Sequence, residues 1–228
     1  LNTIFDMSLR TFKLCSSDTY FDTPYYEQLN YGGDNVPIGA ISFYNSTDDR
    51  LYKEMLRLYP QSVNPQTGLF KSAYPSRFDF DMGTWSLAWI QSLNDYYSMR
   101  GDSVFVKPFV GDIEKILSCF QQQIAEKSML LEHVKVKNFV DWSAKFGSVP
   151  HKDSNDEFHQ SVLLTLYYCY SMDCAVDLYK YLGEMEKAVR WEKLSSKIKT
   201  TIYKKYMDQT TGLIREYPDK NEFTQHTD

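Results

Sequence analysis

The chain has 228 residues, a formal net charge of -5, and 43% hydrophobic against 24% charged residues, a globular balance that excludes a disordered chain. Its mild acidity argues against a nucleic-acid partner, and no apolar run approaches the ~20 residues of a membrane span. Cys15, Cys119, Cys169 and Cys174 form neither a CxxC pair nor a zinc spacing, so neither a disulfide framework nor a metal centre is expected.

The helical period dominates from the first residues. Ile4, Met7, Leu9, Phe12, Leu14 and Cys15 form one broad apolar stripe, which predicts a helix over 3–16. Residues 17–34 lack periodicity and contain Pro24, Gly32 and Gly33, a loop. Asp34 can cap a second helix, 35–45, that turns Val36, Ile38, Ala40, Ile41 and Phe43 inward. Thr47 or Asp48 can cap a third, 49–59, which Pro60 ends. Residues 61–83 hold Pro65, Gly68, Pro75 and Gly83 and make a connection long enough to be functional.

A fourth helix is predicted over 84–100, stopped by Gly101, and a fifth over 103–125, capped by Asp102 or Ser103 with Pro108 near its start. Alternation from Met129 to Val140 predicts a short hairpin, and 143–156 a polar loop. The sixth helix, 157–182, is the most hydrophobic; Cys169 and Cys174 lie in it as core residues. The seventh, 184–207, is amphipathic, with Lys193, Lys197, Lys199, Lys204 and Lys205 on a solvated outer face. A small hairpin is expected within 208–222, and an eighth helix from Phe223. Buried and half-exposed helices thus alternate, which is the organisation of a toroid of helical hairpins with an inner and an outer layer. No solenoid-type repeat is present.

Chemistry concentrates in the loop from Phe21 to Asp34, where Asp22, Glu27 and Asp34 stand at spacings of five and seven among Tyr25, Tyr26 and Tyr31. Aromatics reach 16% of the chain, and Tyr and Trp suit clefts for flat, hydroxylated ligands such as sugars. Carboxylates on a loop beside aromatic faces suit glycoside hydrolysis, in which one acid protonates the leaving oxygen. The plain alternative is a turn residue, a solvated Glu27 and a helix cap.

These residues carry a resemblance. Asp22-Thr23-Pro24-Tyr25-Tyr26-Glu27, followed by Tyr31 and Gly33-Asp34, is similar to the signature of glycoside hydrolase family 78, the α-L-rhamnosidases: Asp-Cys-Pro-x-x-Glu, an aromatic, then Gly-Asp. Three further segments resemble that family in the same order. They are Trp85-Ser86-Leu87-Ala88-Trp89-Ile90 running into Gly101-Asp102, then Phe139-Val140-Asp141-Trp142, and Gly212-Leu213 followed by Thr224-Gln225-His226. Thr23 stands where the family has Cys. Tyr26 stands where many members have Arg, which leaves the exact sugar open.

The resemblance implies an all-α fold, an incomplete (α/α)6 toroid of about seven helices plus small hairpins, with residues 1–228 as one domain. It implies that Glu27 is the general acid of an inverting glycosidase that removes terminal rhamnose from glycans without a cofactor. Asp22 and Asp34 would bind sugar hydroxyls and hold the proton on Glu27 by like-charge repulsion. Trp85 and Trp142 would line the apolar face of the sugar, with Asp141, Tyr31 and His226 also at the substrate.

Twelve helices of this spacing need roughly 390 residues, so the chain is expected to be the first part of a catalytic domain whose general base lies beyond Asp228. None of Glu157, Glu184 or Glu216 lies in a motif that would replace that base. Residues 1–228 alone are therefore expected to be inactive, with an open edge through which copies could associate. No signal peptide is visible, and the compartment stays open. The alternatives are another (α/α)6 glycosidase, or a non-enzymatic helical module that binds carbohydrate or acts as a scaffold. Glu27 discriminates: in a pocket with the two aspartates it belongs to an enzyme, and paired with a surface Lys it does not.

Overall fold

The computed structural model describes residues 1–132, 139, 162–219, 221–223, 225 and 227. Helices α1 (Asn2–Leu14), α2 (Asn35–Asn45), α3 (Arg50–Leu58), α4 (Gly83–Arg100), α5 (Ser103–Val106), α6 (Val110–Gln121), α7 (Val162–Leu182) and α8 (Met185–Tyr206) follow one another in the described residues. The expected fifth helix is three pieces. Lys107–Phe109 is a 3-10 turn between α5 and α6, because Pro108 has no N–H to donate there. Among the described residues β-structure is limited to isolated antiparallel bridges, such as Met207 with Ile214 and Arg215 with Phe223 in the expected C-terminal turn.

α4 and α7 are apolar on most sides and pack together at the centre, with α2 against α4 and α8 against α7. This places α2, α4 and α7 in an inner row and the more polar α3, α6 and α8 outside it. The core between them holds Tyr52, Leu56, Trp89, Leu93, Phe120, Tyr168, Met172 and Trp191. All four cysteines are free; Cys169 and Cys174 are buried in α7, as its apolar run predicts. The lysines of α8 from Lys193 to Lys205 face solvent.

Several local expectations need correction. α2 does not turn Ala40 and Ile41 inward; both are exposed, and its buried face is Asn35, Gly39, Ser42 and Phe43. Gly39 explains this, since a Cβ there would lie 2.0 Å from Tyr52 Cε2, so α2 lies closely on its neighbour along a face of small residues. Asp34 occupies the N-cap position of α2, but its side chain makes no capping hydrogen bond. The third helix is preceded by Asp49; Asp48 still serves it, accepting from the Arg50 N–H at 3.1 Å. Asp102 does cap α5, accepting from the Phe105 N–H at 3.0 Å, and Gly101 ends α4 in the left-handed conformation at φ 68°. The expected hairpin over 129–140 is seen in part. Glu132 N–H donates to Gln123 O and Ala125 N–H to Leu130 O, so the described turn spans 123–132. The polar loop 143–156 lies outside the described residues, as do most residues of the expected eighth helix.

The fold brings two loops to the N-terminal ends of the inner helices. The acidic loop runs into α2, and the long connection after α3 runs into α4. They pair where Tyr31 bridges Ala73, Gly32 N–H donates to Ser72 O at 3.1 Å and Tyr74 N–H donates to Asn30 O at 3.2 Å.

Candidate active site

The acidic loop is held from beneath by a buried polar network. Asn35 Nδ2 donates to Asn30 Oδ1 at 2.7 Å, Tyr59 Oη to Asn30 O at 2.6 Å, and Asn30 Nδ2 to Tyr74 O at 2.7 Å. All three of Asn30, Asn35 and Tyr59 are buried, so each of these bonds offsets a desolvation cost that water would otherwise meet. At the other end, Asp22 and Leu29 close the loop on themselves: Leu29 N–H donates to Asp22 Oδ1 at 2.9 Å and Asp22 N–H donates to Leu29 O at 3.0 Å. Residues 23–28 are thereby presented as a short arch. Within it Glu27 N–H donates to Thr23 Oγ1 and Gln28 Nε2 to Pro24 O.

Glu27 sits exposed on that arch, and its Oε2 accepts from the Tyr31 hydroxyl at 2.7 Å. Burial pushes the Tyr31 phenol well above its ordinary value. The hydrogen bond to Glu27 adds to this, followed by the charges of Glu27, Asp22 and Asp34. Of the three carboxylates that the sequence singles out, Glu27 alone bonds this hydroxyl; Asp22 lines a separate groove between α1 and α2. Asp34 is half-buried; burial pushes the Tyr59 phenol upward, and the charge of Asp34 adds to it.

Trp85, in the first turn of α4, packs against the end of the acidic loop. A Cβ on Gly33 would lie 2.2 Å from Trp85 Cζ3, so the Gly-Asp pair of the loop carries glycine because the indole occupies that space. Trp85 is 9% exposed, and its Nε1 has no hydrogen-bond partner. Phe139 stacks edge-on against it at 5.6 Å between centroids, and the Thr84 hydroxyl donates to Phe139 O. Phe139 opens the segment that contains Asp141 and Trp142; those two residues, and His226, lie outside the described residues. Among the described residues no group of three or more His, Cys, Asp and Glu is placed to hold a metal ion.

Glu27 and Tyr31 line a cavity of about 440 Å³ with Tyr26, Leu29, Arg77, Phe78 and Phe80. The last three come from the long connection, and none was singled out from the sequence. The signal available was the length of that connection, together with Arg77 as the single Lys or Arg between Lys71 and Arg100.

A family model described as the bacterial alpha-L-rhamnosidase 6 hairpin glycosidase domain matches residues 1–225. A GH78 family rhamnosidase of Bacillus sp. GL1 superposes with a TM-score of 0.80 at 21% identity, over 93% of this chain and 21% of that one. A rhamnosidase from Klebsiella oxytoca, solved with rhamnose bound, gives 0.75 at 15% identity, over 96% of this chain and 41% of that one. A family 105 glycoside hydrolase of C. acetobutylicum gives 0.57 at 11% identity, over 86% and 55% respectively. These identities show a shared fold, and the chain spans well under two thirds of the length of each. No curated protein matches in sequence.

Proposed function

The chain belongs to the bacterial α-L-rhamnosidase six-hairpin glycosidase domain family, and from that premise we propose that it supplies the general acid for removal of terminal rhamnose from a glycan with inversion. The observation that carries this reading is the exposed Glu27, hydrogen-bonded to the Tyr31 hydroxyl, in an aromatic-lined cavity. Glu27, exposed at the cavity, donates its proton to the glycosidic oxygen as the bond breaks. The carboxylate that remains is the form to which the Tyr31 hydroxyl donates. Asp22 accepts through one oxygen from the Leu29 N–H, and by their motif Asp22 and Asp34 are assigned to the sugar hydroxyls. Trp85 forms the apolar wall, with Asp141, Trp142 and His226 assigned to the same sugar by their motifs. That the hydrogen-bond partner of Glu27 is a phenol rather than a surface Lys favours an enzyme over a scaffold.

Inversion needs a second carboxylate roughly 6.5–9.5 Å from the first to activate water. Glu184 is paired with Lys187 and Glu216 is buried beyond the start of α7, so neither suits that task. We assign the base to a residue outside 1–228, and these residues alone then give no turnover. The exposed face of α1 is the surface through which the isolated chain would self-associate.

The test is hydrolysis of α-L-rhamnosides by the full-length protein that carries this chain, with Glu27→Gln alongside. The expected loss is about 10²–10⁴-fold in kcat, and larger for an alkyl than a nitrophenyl leaving group, which departs without protonation. A variant as active as the parent on both substrates would remove Glu27 from the mechanism.

A further inference from the structure

One turn occurs three times in the described residues, each time after an outer helix. The copies are Asn64-Pro65-Gln66-Thr67-Gly68-Leu69 after α3, Ala125-Glu126-Lys127-Ser128-Met129-Leu130 after α6, and Asp208-Gln209-Thr210-Thr211-Gly212-Leu213 after α8. Their hydrogen bonds coincide position by position. The first N–H donates to the sixth carbonyl: Asn64 to Leu69 at 2.8 Å, Ala125 to Leu130 at 2.9 Å, and Asp208 to Leu213 at 2.9 Å. The fifth N–H donates to the first carbonyl at 2.8 Å in every copy. The hydroxyl of Thr67, Ser128 or Thr211 accepts from the sixth N–H at 3.3 Å. The fifth residue is left-handed throughout, with φ of 74° at Gly68, 61° at Met129 and 74° at Gly212.

The copies differ at the first side chain, and the difference is chemical. In the third, Asp208 Oδ1 accepts from the Thr210 N–H at 2.9 Å, and Asp208 Oδ2 faces Arg215 at 3.5 Å. In the first, Asn64 Oδ1 accepts in the same way from the Gln66 N–H at 2.9 Å. Its other terminal atom is a donor, and Asn64 Nδ2 reaches Asp81 Oδ2 at 2.6 Å. Thr67 Oγ1 donates to the same oxygen at 3.2 Å. An aspartate at position 64 would serve the turn equally well but would repel Asp81. The amide of Asn64 therefore answers a partner outside the turn.

Asp81 lies just before α4, so its bonds to the turn tie the end of the segment 70–80 to its beginning. Inside this tie, the N–H of the fully buried Ser72 donates to Phe80 O at 3.1 Å, and the Met82 N–H donates to Ser72 Oγ at 2.6 Å. The closed segment is what the acidic loop rests on. Tyr31 bridges Ala73, Gly32 N–H donates to Ser72 O, and Tyr74 N–H donates to Asn30 O. Asn30 and Gly32 flank Tyr31, whose hydroxyl donates to Glu27.

We propose that Asn64 and Asp81 form a clasp that closes residues 70–80 and thereby positions the loop that carries Glu27. Its consequence for catalysis rests on the rhamnosidase reading above; the clasp itself does not. The experiment compares the full-length protein with Asn64→Asp and with the double variant Asn64→Asp/Asp81→Asn, in which carboxylate and amide change places. Two quantities are read: amide exchange with deuterium, and kcat on an alkyl α-L-rhamnoside, whose departure needs the acid. In Asn64→Asp the Gly68 amide is expected to keep its protection, because the turn keeps its acceptor. The Ser72 and Met82 amides are expected to exchange about tenfold faster or more, with a fall in kcat of similar size. The double variant is expected to recover part of both losses. Unchanged protection of Ser72 and Met82, a loosening that includes Gly68, or a double variant no better than the single one overturns the clasp. Faster exchange with unchanged kcat overturns its positioning role. If the parent does not hydrolyse the rhamnoside, the rhamnosidase reading falls, and exchange alone decides on the clasp.

Discussion

The Tyr31 hydroxyl donates to Glu27 Oε2 at 2.7 Å, and burial with three surrounding carboxylates keeps it protonated far above neutrality. It is thus a fixed donor to the form of Glu27 that exists after proton transfer. Tyr31→Phe removes that donor and little else from the cavity wall. Its expected effect is a loss of about tenfold or more in kcat, with no change in the urea midpoint. A rate within twofold of the parent would show that the bond is incidental. Much of this residue-level picture was readable beforehand. Asp22, Glu27, Tyr31 and Asp34 lie within thirteen residues, so one loop carries them all, and Glu27 and Tyr31, four apart, meet in one hydrogen bond. That Arg77 lines the same cavity as Glu27 was not readable, because their loops are joined by a backbone pairing of residues more than forty apart. Asp34 departs from its local signal. Its position announces a helix cap, yet its side chain makes no capping hydrogen bond.

At the level of elements, the outer helices are tied to the inner row by a few buried polar contacts. Glu114 on α6 is one: its Oε1 accepts from Tyr179 Oη on α7 and from Trp191 Nε1 on α8, each at 2.6 Å, while Oε2 faces Arg190 at 3.5 Å. Tyr179 and Trp191 are fully buried, so Glu114→Ala orphans two donors and should cost about 2–4 kcal/mol. Glu114→Gln keeps an acceptor oxygen and should recover most of that. Urea denaturation of the two variants checks it, and equal losses would mean that the charge rather than the acceptor matters. Asp102 is a second tie. It caps α5 and receives Lys53 from α3 at 2.9 Å, and these two hydrogen bonds hold its carboxyl below the ordinary value. A depressed folded value stabilises only above the unfolded carboxyl value of about 3.9, and the benefit fades as pH falls through the folded one. Asp102→Ala should therefore cost about 1 kcal/mol at pH 7, shrinking as pH falls below about 4; a cost that stays constant on acidification would refute the assignment. Helix positions were legible to within a few residues because their signals are local: Gly101 at φ 68°, the Asp102 cap, and Pro108 at the break before α6. The inward face of α2 was not, since hydrophobicity marks Ile41 as buried, while the contact is decided by the missing side chain of Gly39.

Across the whole molecule, stability is distributed very unevenly between the first helix and the inner row. α7 is buried along most of its length between α4 and α8, whereas α1 contains no buried residue, and Ile4, Phe5, Met7 and Leu14 are each more than half exposed. What attaches α1 is modest: the partly buried Leu9 and Phe12, with the Phe12 ring 6.2 Å from Tyr20, and a groove of about 440 Å³ left open between α1 and α2. A helix of thirteen residues is marginal in water without a packed face. The amides of α1 in the isolated chain should then exchange with deuterium through local opening, while those of α7 should open only with global unfolding. The same measurement addresses self-association. If copies meet through the apolar side of α1, its amides gain protection as the chain is concentrated, and those of α7 do not change. Protection of α1 that equals α7 in dilute solution would show that the first helix is already docked as firmly as the core, and would contradict the uneven distribution argued from its burial.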